Sequence, residues 1–185
     1  NSFFKNKSNI KIAIGRAGNV IGGGDWSTDR IIPDAVRSWR NNEKLYLRKP
    51  NATRPWQHVL EPISGYLTLA DKLNDNGING EAFNFGPDVS FRCTVADLIS
   101  NLPKYWKDFQ YESQNTSLDG HHEAGLLALN CDKAKNLLGW FPVLSFINTL
   151  EFTAEWYKNF YDNNDNIIDY SIEQIDAYIK IKNKK

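Results

Sequence analysis

RAGNVIGGGDW at residues 16–26, DRIIP at residues 29–33 and ATRPWQHVLEP at residues 52–62 occupy one region that mixes glycine, arginine and tryptophan. Glycine lets backbone approach a ligand closely, arginine offers a planar fork of donors to phosphate oxygens, and tryptophan offers a flat apolar wall. Connections between elements often carry sites. We therefore predict a ligand site in this region; the alternative is a long surface loop with ordinary glycine turns.

The composition is that of a folded protein. Hydrophobic residues make up 41% and aromatic residues 13% of the 185 positions, enough for the core of one domain or of half a larger enzyme. The 22 basic and 22 acidic residues balance, which argues against a nucleic-acid partner. No apolar run approaches the length of a membrane span and no signal peptide is present, so we expect no membrane partner.

Two further features bear on the setting of the chain. Cys93 and Cys131 lie in no pairing motif, which favours a reduced, cytoplasmic compartment. Methionine is absent, including at position 1. We therefore expect that the chain begins inside a longer protein or was trimmed.

Apolar periodicity and turn residues predict alternating strands and helices. We predict strands at residues 10–14, 45–47, 57–60, 82–85, 109–112 and 126–129. We predict helices at residues 29–41, 61–74, 94–102, 132–138, 145–161 and 172–181. Residues 1–185 are interpreted as a single segment, with a polar, flexible linker from residue 162 leading to a terminal helix that ends by residue 185.

Capping residues support three of these helices. Asp29 is the predicted N-cap of the first helix, and Thr94 with Asp97 forms a capping box for the helix at 94–102. Ser171 with Gln174 is predicted to cap the last helix.

Two apolar stripes at helical spacing are predicted to face the core. On the helix at 61–74 the stripe comprises Ile63, Tyr66, Leu67, Ala70 and Leu73. On the helix at 145–161 it comprises Ile147, Leu150, Ala154, Tyr157 and Tyr161. Helices outweigh strands, and the two alternate along the chain, which predicts a mixed α/β fold.

Gly15, Gly18 and Gly22 follow a strand but do not form a dinucleotide fingerprint. Their spacing is one residue too long and the continuation GGDW does not start a helix. A phosphate-binding Gly-Lys-Ser/Thr sequence is also absent.

The blocks RAGNVIGGGDW, DRIIPD, ATRPWQHVLEPISGYL, AFNFGP and HHEAGLLALNCDKAKNLLGWFP resemble the C-terminal part of the CDP-glucose 4,6-dehydratase group. This group lies in the extended short-chain dehydrogenase/reductase family of nucleotide-sugar epimerases and dehydratases. The resemblance covers roughly residues 10–160. It implies a Rossmann-type α/β fold of which this chain is the C-terminal part, with the last sheet strands and a small mixed α/β substrate-binding lobe. The NAD-binding half is implied to lie outside the chain.

The resemblance implies roles for the residues of the first and third blocks. It places Asn19 and Arg54 on the substrate diphosphate, and Ala17 and Gly18 beside the nicotinamide. An asparagine amide can donate to phosphate, which favours the ligand role for Asn19; the alternative is a turn asparagine that hydrogen-bonds its own backbone. The alternative for Arg54 is a surface salt bridge.

Further substrate contacts are implied outside those blocks. Arg30 and the backbone of Ile31 are implied to meet the base and sugar, and Asn84 the base or ribose. Arg30 could equally be a solvated residue at a helix start, and Asn84 a polar residue at a strand end. His122 and Glu123 are implied to face the ribose or diphosphate.

Three other candidate sites are interpreted as having no role in catalysis or metal binding. His121, His122 and Glu123 lack carboxylates at ligand spacing on one helix, so we expect no metal site. His58, in an extended apolar segment, is predicted to be a buried histidine with its hydrogen bonds satisfied. Only Tyr178 has a lysine four residues later, Lys182, and we predict that this pair lies on a solvated helix face.

The parent enzyme implied by the resemblance is an NAD-dependent lyase and homodimer that converts CDP-glucose to CDP-4-keto-6-deoxyglucose for dideoxysugars of bacterial surface polysaccharide. The segment has no Tyr-x-x-x-Lys pair within the matched region, so we predict no catalytic residues in it and no activity from it alone. A nucleotide-sugar binding module without catalysis and an epimerase or dehydratase of another nucleotide sugar remain alternatives. The residues do not indicate whether the nucleotide is CDP, UDP or dTDP.

Overall fold

The computed structural model describes residues 10–75, 77–88, 93–113, 128–162 and 166–184. Strands and helices are mixed along this part of the chain. The strands are β1 (Ile14–Ala17), β2 (Asn19–Ile21), β3 (Lys44–Leu47), β4 (Thr53–Arg54), β5 (Trp56–His58), β6 (Ala82–Phe85), β7 (Cys93–Thr94) and β8 (Gln110–Ser113). The helices are α1 (Ile31–Arg40), α2 (Leu60–Asp71), α3 (Val95–Ser100), α4 (Asp132–Leu138), α5 (Phe146–Asp162) and α6 (Ile167–Lys182).

The strands pair two by two. β1 with β6, β2 with β5 and β3 with β8 are parallel, and β4 with β7 is antiparallel. Parallel pairs need crossover connections, which the helices between these strands supply. Asn19 stands opposite Trp56 in the β2–β5 pair, so the glycine-rich block and the RPWQH block lie side by side.

Two hydrophobic cores hold the elements together. The first joins α1, β3, α3 and α5 around Trp106, whose indole N–H donates to the carbonyl of Ala154 at 3.0 Å. The second packs β6 against α4, with Phe85 and Trp140 in edge-to-face contact at 5.0 Å. The mixture of strands and helices around these cores agrees with the predicted α/β fold class.

Elements with strong local signals lie where the sequence predicts them. β6 and α4 have the predicted bounds, and Gly139 ends α4 in the left-handed region at φ 66°. The Thr94–Asp97 capping box is present at the start of α3. Leu150, Ala154 and Tyr157 of the predicted α5 stripe are buried.

The first strand and first helix differ from the prediction. β1 begins at Ile14, where the prediction ended, and both Ile10 and Ile14 are exposed. Asp29 is not the N-cap of α1, because it adopts a left-handed φ of 59°. Arg30 occupies the cap position and makes no capping bond through its side chain.

The prediction of which face of α2 is buried is wrong. Ile63 and Leu67 are 43% and 68% exposed, whereas Ser64 and Gly65 are buried. A Cβ on Gly65 would lie 2.3 Å from Cδ1 of Phe85, so α2 approaches β6 through its smallest residues. The helix also ends earlier than predicted and continues as a 3₁₀ turn, Lys72–Asn74.

The terminal helix, α6, also differs from the prediction. α6 begins at Ile167, within the stretch predicted to be flexible, and Ser171 lies inside it. Ser171 is therefore no cap: its hydroxyl donates to the carbonyl of Ile167 and accepts from the indole N–H of Trp156. Gln174 is not its capping partner, since its amide donates to the carbonyl of Phe152 on α5.

The Tyr178–Lys182 pair does not lie on a solvated face. Tyr178 is 4% exposed and donates to Oε2 of Glu61 at 2.9 Å. Lys182 donates to the hydroxyl of Ser64 at 2.7 Å. The pair thus fastens α6 to the first turns of α2.

The start of the α5 stripe and the strand predicted at residues 126–129 also differ from the prediction. Ile147, at the start of the predicted α5 stripe, is exposed. Residues 128–129 are irregular rather than extended, and residues 126–127 lie outside the described ranges. No helix in the described part of the chain is long and apolar enough to cross a membrane.

Candidate functional site

A cavity of about 860 Å³ lies where β1, β2 and β5 meet the first turn of α1 and the segment between β3 and β4. Six of the predicted site residues line it: Ala17, Gly18, Asn19, Arg30, Ile31 and Arg54. They come from three separate blocks of sequence that the β2–β5 pairing and α1 bring together. The three blocks thus contribute to the wall of one concave cavity.

The remaining predicted residues are placed elsewhere or are not described. Asn84 does not line this cavity; its amide donates to the carbonyl of Asn130 at 3.0 Å. His122 and Glu123, together with His121, lie outside the described residues. The described ranges contain no group of three side chains suited to hold a metal ion.

Arg54 sits at the junction of two cavities. It ends β4, opposite Cys93 in the short antiparallel pair with β7. Its Nη1 donates to the carbonyl of Thr53 at 2.9 Å, which fixes the guanidinium near its own strand. Arg54 lines both the main cavity and a neighbouring one of about 760 Å³. Arg54 is half-buried as a residue, and an anion bound beside it would be partly shielded from water.

Gly18 has a packing role in the described structure. A Cβ there would lie 2.9 Å from Cγ of Pro55 and 3.0 Å from Cδ1 of Leu129. The backbone N–H of Gly18 donates to the carbonyl of Phe85 at 3.2 Å. Any larger residue would push β1 away from Pro55, and with it the neighbouring Asn19.

Arg30 faces a carboxylate that the sequence analysis missed. Its Nη1 lies 3.6 Å from Oδ2 of Asp25, which also lines the cavity. Burial alone would raise the pKa of Asp25, but hydrogen bonds from Ser27 and the charges of Arg30 and Arg37 lower it below its ordinary value. Asp25 is thus held as an anion beside Arg30.

Arg48 and Lys49 were also missed as cavity residues. They follow β3, in which Leu45 and Leu47 are buried and Tyr46 is exposed. Two cations directly after an alternating strand are a usable signal, since polar residues at strand ends often form sites. Among the described residues, the cavity lining carries four cations (Arg30, Arg48, Lys49 and Arg54) and three carboxylates (Asp25, Asp29 and Asp34). Such a lining suits a ligand with both an anionic group and hydroxyl groups.

The tryptophans of the two blocks have different surroundings. Trp56 lines the cavity and is buried, and its indole N–H has no partner among the described residues. Trp26 is not part of the cavity wall; it packs against Tyr157 and Phe160 with ring centroids 5.3 and 5.2 Å apart.

His58 is buried, as predicted, but only partly satisfied. Its Nδ1 accepts from the backbone N–H of Leu60 at 3.4 Å, and its Nε2 has no partner among the described residues. The ring contacts Phe152 edge-on at 5.5 Å. Burial lowers the pKa of His58 from 6.5 to about 4.

This burial predicts a loss of stability in acid. The unfolded chain takes up the His58 proton near pH 6.5 and the folded chain only near pH 4, so stability is lost as the pH falls between these values. From neutral pH down to about pH 4, the wild type should lose roughly 3 kcal/mol more than His58→Gln, which has no such proton. Urea unfolding at a series of pH values measures both slopes. Parallel slopes would show that His58 does not titrate in this way.

The chain has relatives among nucleotide-sugar enzymes. It is 41% identical over 176 residues to CDP-glucose 4,6-dehydratase of Salmonella typhimurium, covering 91% of this chain and 48% of that enzyme. It is 25% identical over 158 residues to mouse dTDP-D-glucose 4,6-dehydratase, covering 82% of this chain and 42% of that enzyme. The chain thus spans about half the length of these relatives. No family model matches it.

Solved structures show the same fold. UDP-glucuronic acid 4-epimerase from Bacillus cereus, in complex with UDP-glucuronic acid and NAD, superposes with a TM-score of 0.69 at 22% identity, over 82% of this chain and 46% of that one. The dTDP-glucose 4,6-dehydratase DesIV from Streptomyces venezuelae superposes with a TM-score of 0.64 at 20% identity, over 84% of this chain and 46% of that one. In sequence this chain is similar to part of the nucleotide-sugar dehydratases, and its mixed α/β fold matches the C-terminal part of Rossmann-type structures of the extended short-chain dehydrogenase/reductase group.

Proposed function

We propose that the protein to which this chain belongs is an NAD-dependent CDP-glucose 4,6-dehydratase, and that this chain supplies its nucleotide-sugar site. The observation that carries the proposal is the cavity in which Asn19, Arg30 and Arg54 meet. The 41% identity to the Salmonella enzyme supports the choice of reaction and of CDP-glucose as substrate.

The cavity supplies the contacts that a sugar diphosphate needs. The guanidinium of Arg54 can donate two parallel hydrogen bonds to phosphate oxygens, and the Asn19 amide can add a third. Elsewhere in the cavity wall, Arg30 can donate hydrogen bonds to the base or to sugar hydroxyls, and the carboxylate of Asp25 can accept them. The backbone at Ile31 opens α1, where N–H groups lack helical partners and favour polar ligand atoms.

The cofactor of the proposed enzyme is NAD, which would accept and return the hydride of the reaction. In this chain Ala17 and Gly18, at the end of β1, are the proposed cofactor contacts, and the main NAD-binding residues lie outside it. The structure gives Gly18 a packing role against Pro55 and Leu129. Its contact with nicotinamide therefore rests on the resemblance, as does that of Ala17.

Other attributes of the whole enzyme follow from the same resemblance. We propose a homodimer that works in the cytoplasm on the route to dideoxysugars of surface polysaccharide. Cys93 and Cys131 form no disulfide, which fits a reducing compartment. Asn84, His122 and Glu123 remain proposed substrate contacts.

A second candidate is an epimerase, favoured by the fold match to UDP-glucuronic acid 4-epimerase. The two reactions differ in mass balance. Dehydration removes one water from the nucleotide sugar, whereas epimerisation leaves the mass unchanged. Mass spectrometry therefore separates them directly.

We expect the full-length enzyme with NAD to convert CDP-glucose to a product lighter by one water. We expect UDP-glucose and dTDP-glucose to react more slowly, and the 185-residue chain alone to neither bind NAD tightly nor form product. A product of unchanged mass would support the epimerase instead. Turnover by the isolated chain would contradict the absence of catalytic residues from this segment.

A further inference from the structure

Residues 22–26, here called the glycine loop, form part of the cavity wall through Gly22 and Asp25. The loop is held from outside the cavity by two adjacent aromatic residues of α5, Trp156 and Tyr157. These residues do not line the cavity. Their contacts with the loop link α5 to the wall of the proposed substrate site.

Trp156 covers the middle of the loop. A Cβ on Gly23 would lie 1.9 Å from Cδ2 of Trp156, so the indole rests directly on the glycine backbone. The indole N–H donates to the hydroxyl of Ser171 at 2.9 Å, which orients the ring from α6. Phe160 stacks on the same indole at 5.5 Å. The loop therefore packs on a fixed aromatic surface.

Tyr157 fixes the end of the loop through two hydrogen bonds. Its hydroxyl donates to the carbonyl of Asp25 at 2.7 Å and accepts from the backbone N–H of Asp25 at 3.1 Å. The side chain of Tyr157 is fully buried, and burial raises the pKa of its hydroxyl well above the ordinary value. The neutral hydroxyl is needed here, because only that form can donate to the carbonyl while accepting from the N–H.

Fixing the backbone of Asp25 also fixes its carboxylate. Oδ1 of Asp25 accepts from the backbone N–H of Ser27 at 3.0 Å, and Oδ2 lies 3.6 Å from Arg30. Arg37 donates to the carbonyls of Trp26 and Ser27 at 3.3 and 3.2 Å from the α1 side. Arg30, whose side chain is 63% exposed, thus pairs at the cavity wall with a carboxylate whose main chain is held by Tyr157.

We propose that Tyr157 is a positioning residue for nucleotide-sugar binding, acting through Asp25 on Arg30; this inference rests on the proposed function. Tyr157 does not touch the substrate. It holds the main chain of Asp25 in the conformation that presents the carboxylate to Arg30. The arginine is then oriented before the substrate arrives, which reduces the ordering cost of binding.

Tyr157→Phe and Tyr178→Phe provide a matched test, since each removes one buried tyrosine hydroxyl. In the full-length enzyme, Tyr157→Phe should weaken CDP-glucose binding about 10-fold and raise KM with kcat within about 2-fold, because the loss falls on binding alone. Tyr178→Phe, whose hydroxyl bonds Glu61, should bind within about 2-fold of wild type. Amide hydrogen exchange at Asp25 should accelerate in Tyr157→Phe only.

Asp25→Asn tests the route from Tyr157 to Arg30. It keeps both main-chain hydrogen bonds to Tyr157 but removes the charge that pairs with Arg30. We expect Asp25→Asn to lose about as much affinity for CDP-glucose as Tyr157→Phe. The double variant should bind CDP-glucose at most about 3-fold more weakly than either single variant. Additive losses would show that Tyr157 does not act through Asp25.

The outcomes separate this inference from the proposed function. If wild type binds CDP-glucose and Tyr157→Phe binds equally well, the inference is overturned and the proposed function stands. If both phenylalanine variants lose affinity equally, Tyr157 contributes stability only, and the inference is again overturned. If wild type binds no nucleotide sugar, the proposed function fails and the inference fails with it.

Discussion

Replacing Arg54 by alanine is expected to weaken CDP-glucose binding more than any other single substitution in this chain. Arg54 is half-buried and lines both cavities, and its guanidinium can meet two diphosphate oxygens at once. Its loss would leave a shielded anionic group without its partner, a cost of about 2–5 kcal/mol in binding free energy. Isothermal titration calorimetry on the full-length enzyme measures the change.

Two comparisons make this prediction specific for the diphosphate. Arg54→Lys restores the charge but not the planar fork, so it should recover only part of the affinity. Arg54→Ala should lose more affinity for CDP than for CMP, because only CDP carries the second phosphate. Arg40→Ala is the matched control: Arg40 lies over the ring of Tyr161 at 4.2 Å and does not line the cavity. Equal weakening of CMP and CDP would show that Arg54 does not contact the second phosphate.

Replacing Glu61 by alanine is expected to cause the largest loss of folding stability. Glu61 is 1% exposed and accepts from the backbone N–H groups of Val143 and Leu144 at 2.8 and 2.7 Å. It also accepts from the hydroxyl of Tyr178. Alanine would leave these donors without their acceptor, which should lower the free energy of unfolding by roughly 3–5 kcal/mol. Urea unfolding of the chain measures it.

Glu61→Gln distinguishes the hydrogen bonds from the space that the side chain fills. Its amide oxygen can still accept from the two backbone N–H groups, so we expect a loss of only about 1–2 kcal/mol. Glu43→Ala, at an exposed position, should change stability by less than about 0.5 kcal/mol. Equal losses for Glu61→Gln and Glu61→Ala would contradict the role assigned to these hydrogen bonds.

Local signals predicted part of the fold. β6 and α4 are bounded by turn residues in the adjacent sequence, and Thr94 with Asp97 marks the start of α3 without help from tertiary contacts. The face of α2 could not be predicted in this way. Its apolar residues follow helical spacing, but Gly65 and Ser64 are the ones that fit against Phe85 and Lys182. Which face is buried depends on the partner element, which periodicity does not reveal.

The same distinction applies to the site. Asn19, Arg30 and Arg54 were predicted because their residue types and sequence blocks are characteristic. Asp25 and Tyr157 are 132 positions apart in sequence, and only packing of α5 against the glycine loop shows that they meet. The prediction of a solvated face for Tyr178 rests on its position in the terminal helix, beyond the matched region, and its partner Glu61 lies 117 positions away. Long-range partners of this kind leave no trace in local spacing.

A crystal structure of the full-length enzyme with CDP-glucose bound would test the central claim most directly. We expect the diphosphate in the cavity of about 860 Å³, with its oxygens within hydrogen-bonding distance of Arg54 and Asn19 and with Arg30 beside the base or sugar. A nucleotide sugar bound elsewhere, or a diphosphate that Arg54 does not reach, would contradict it.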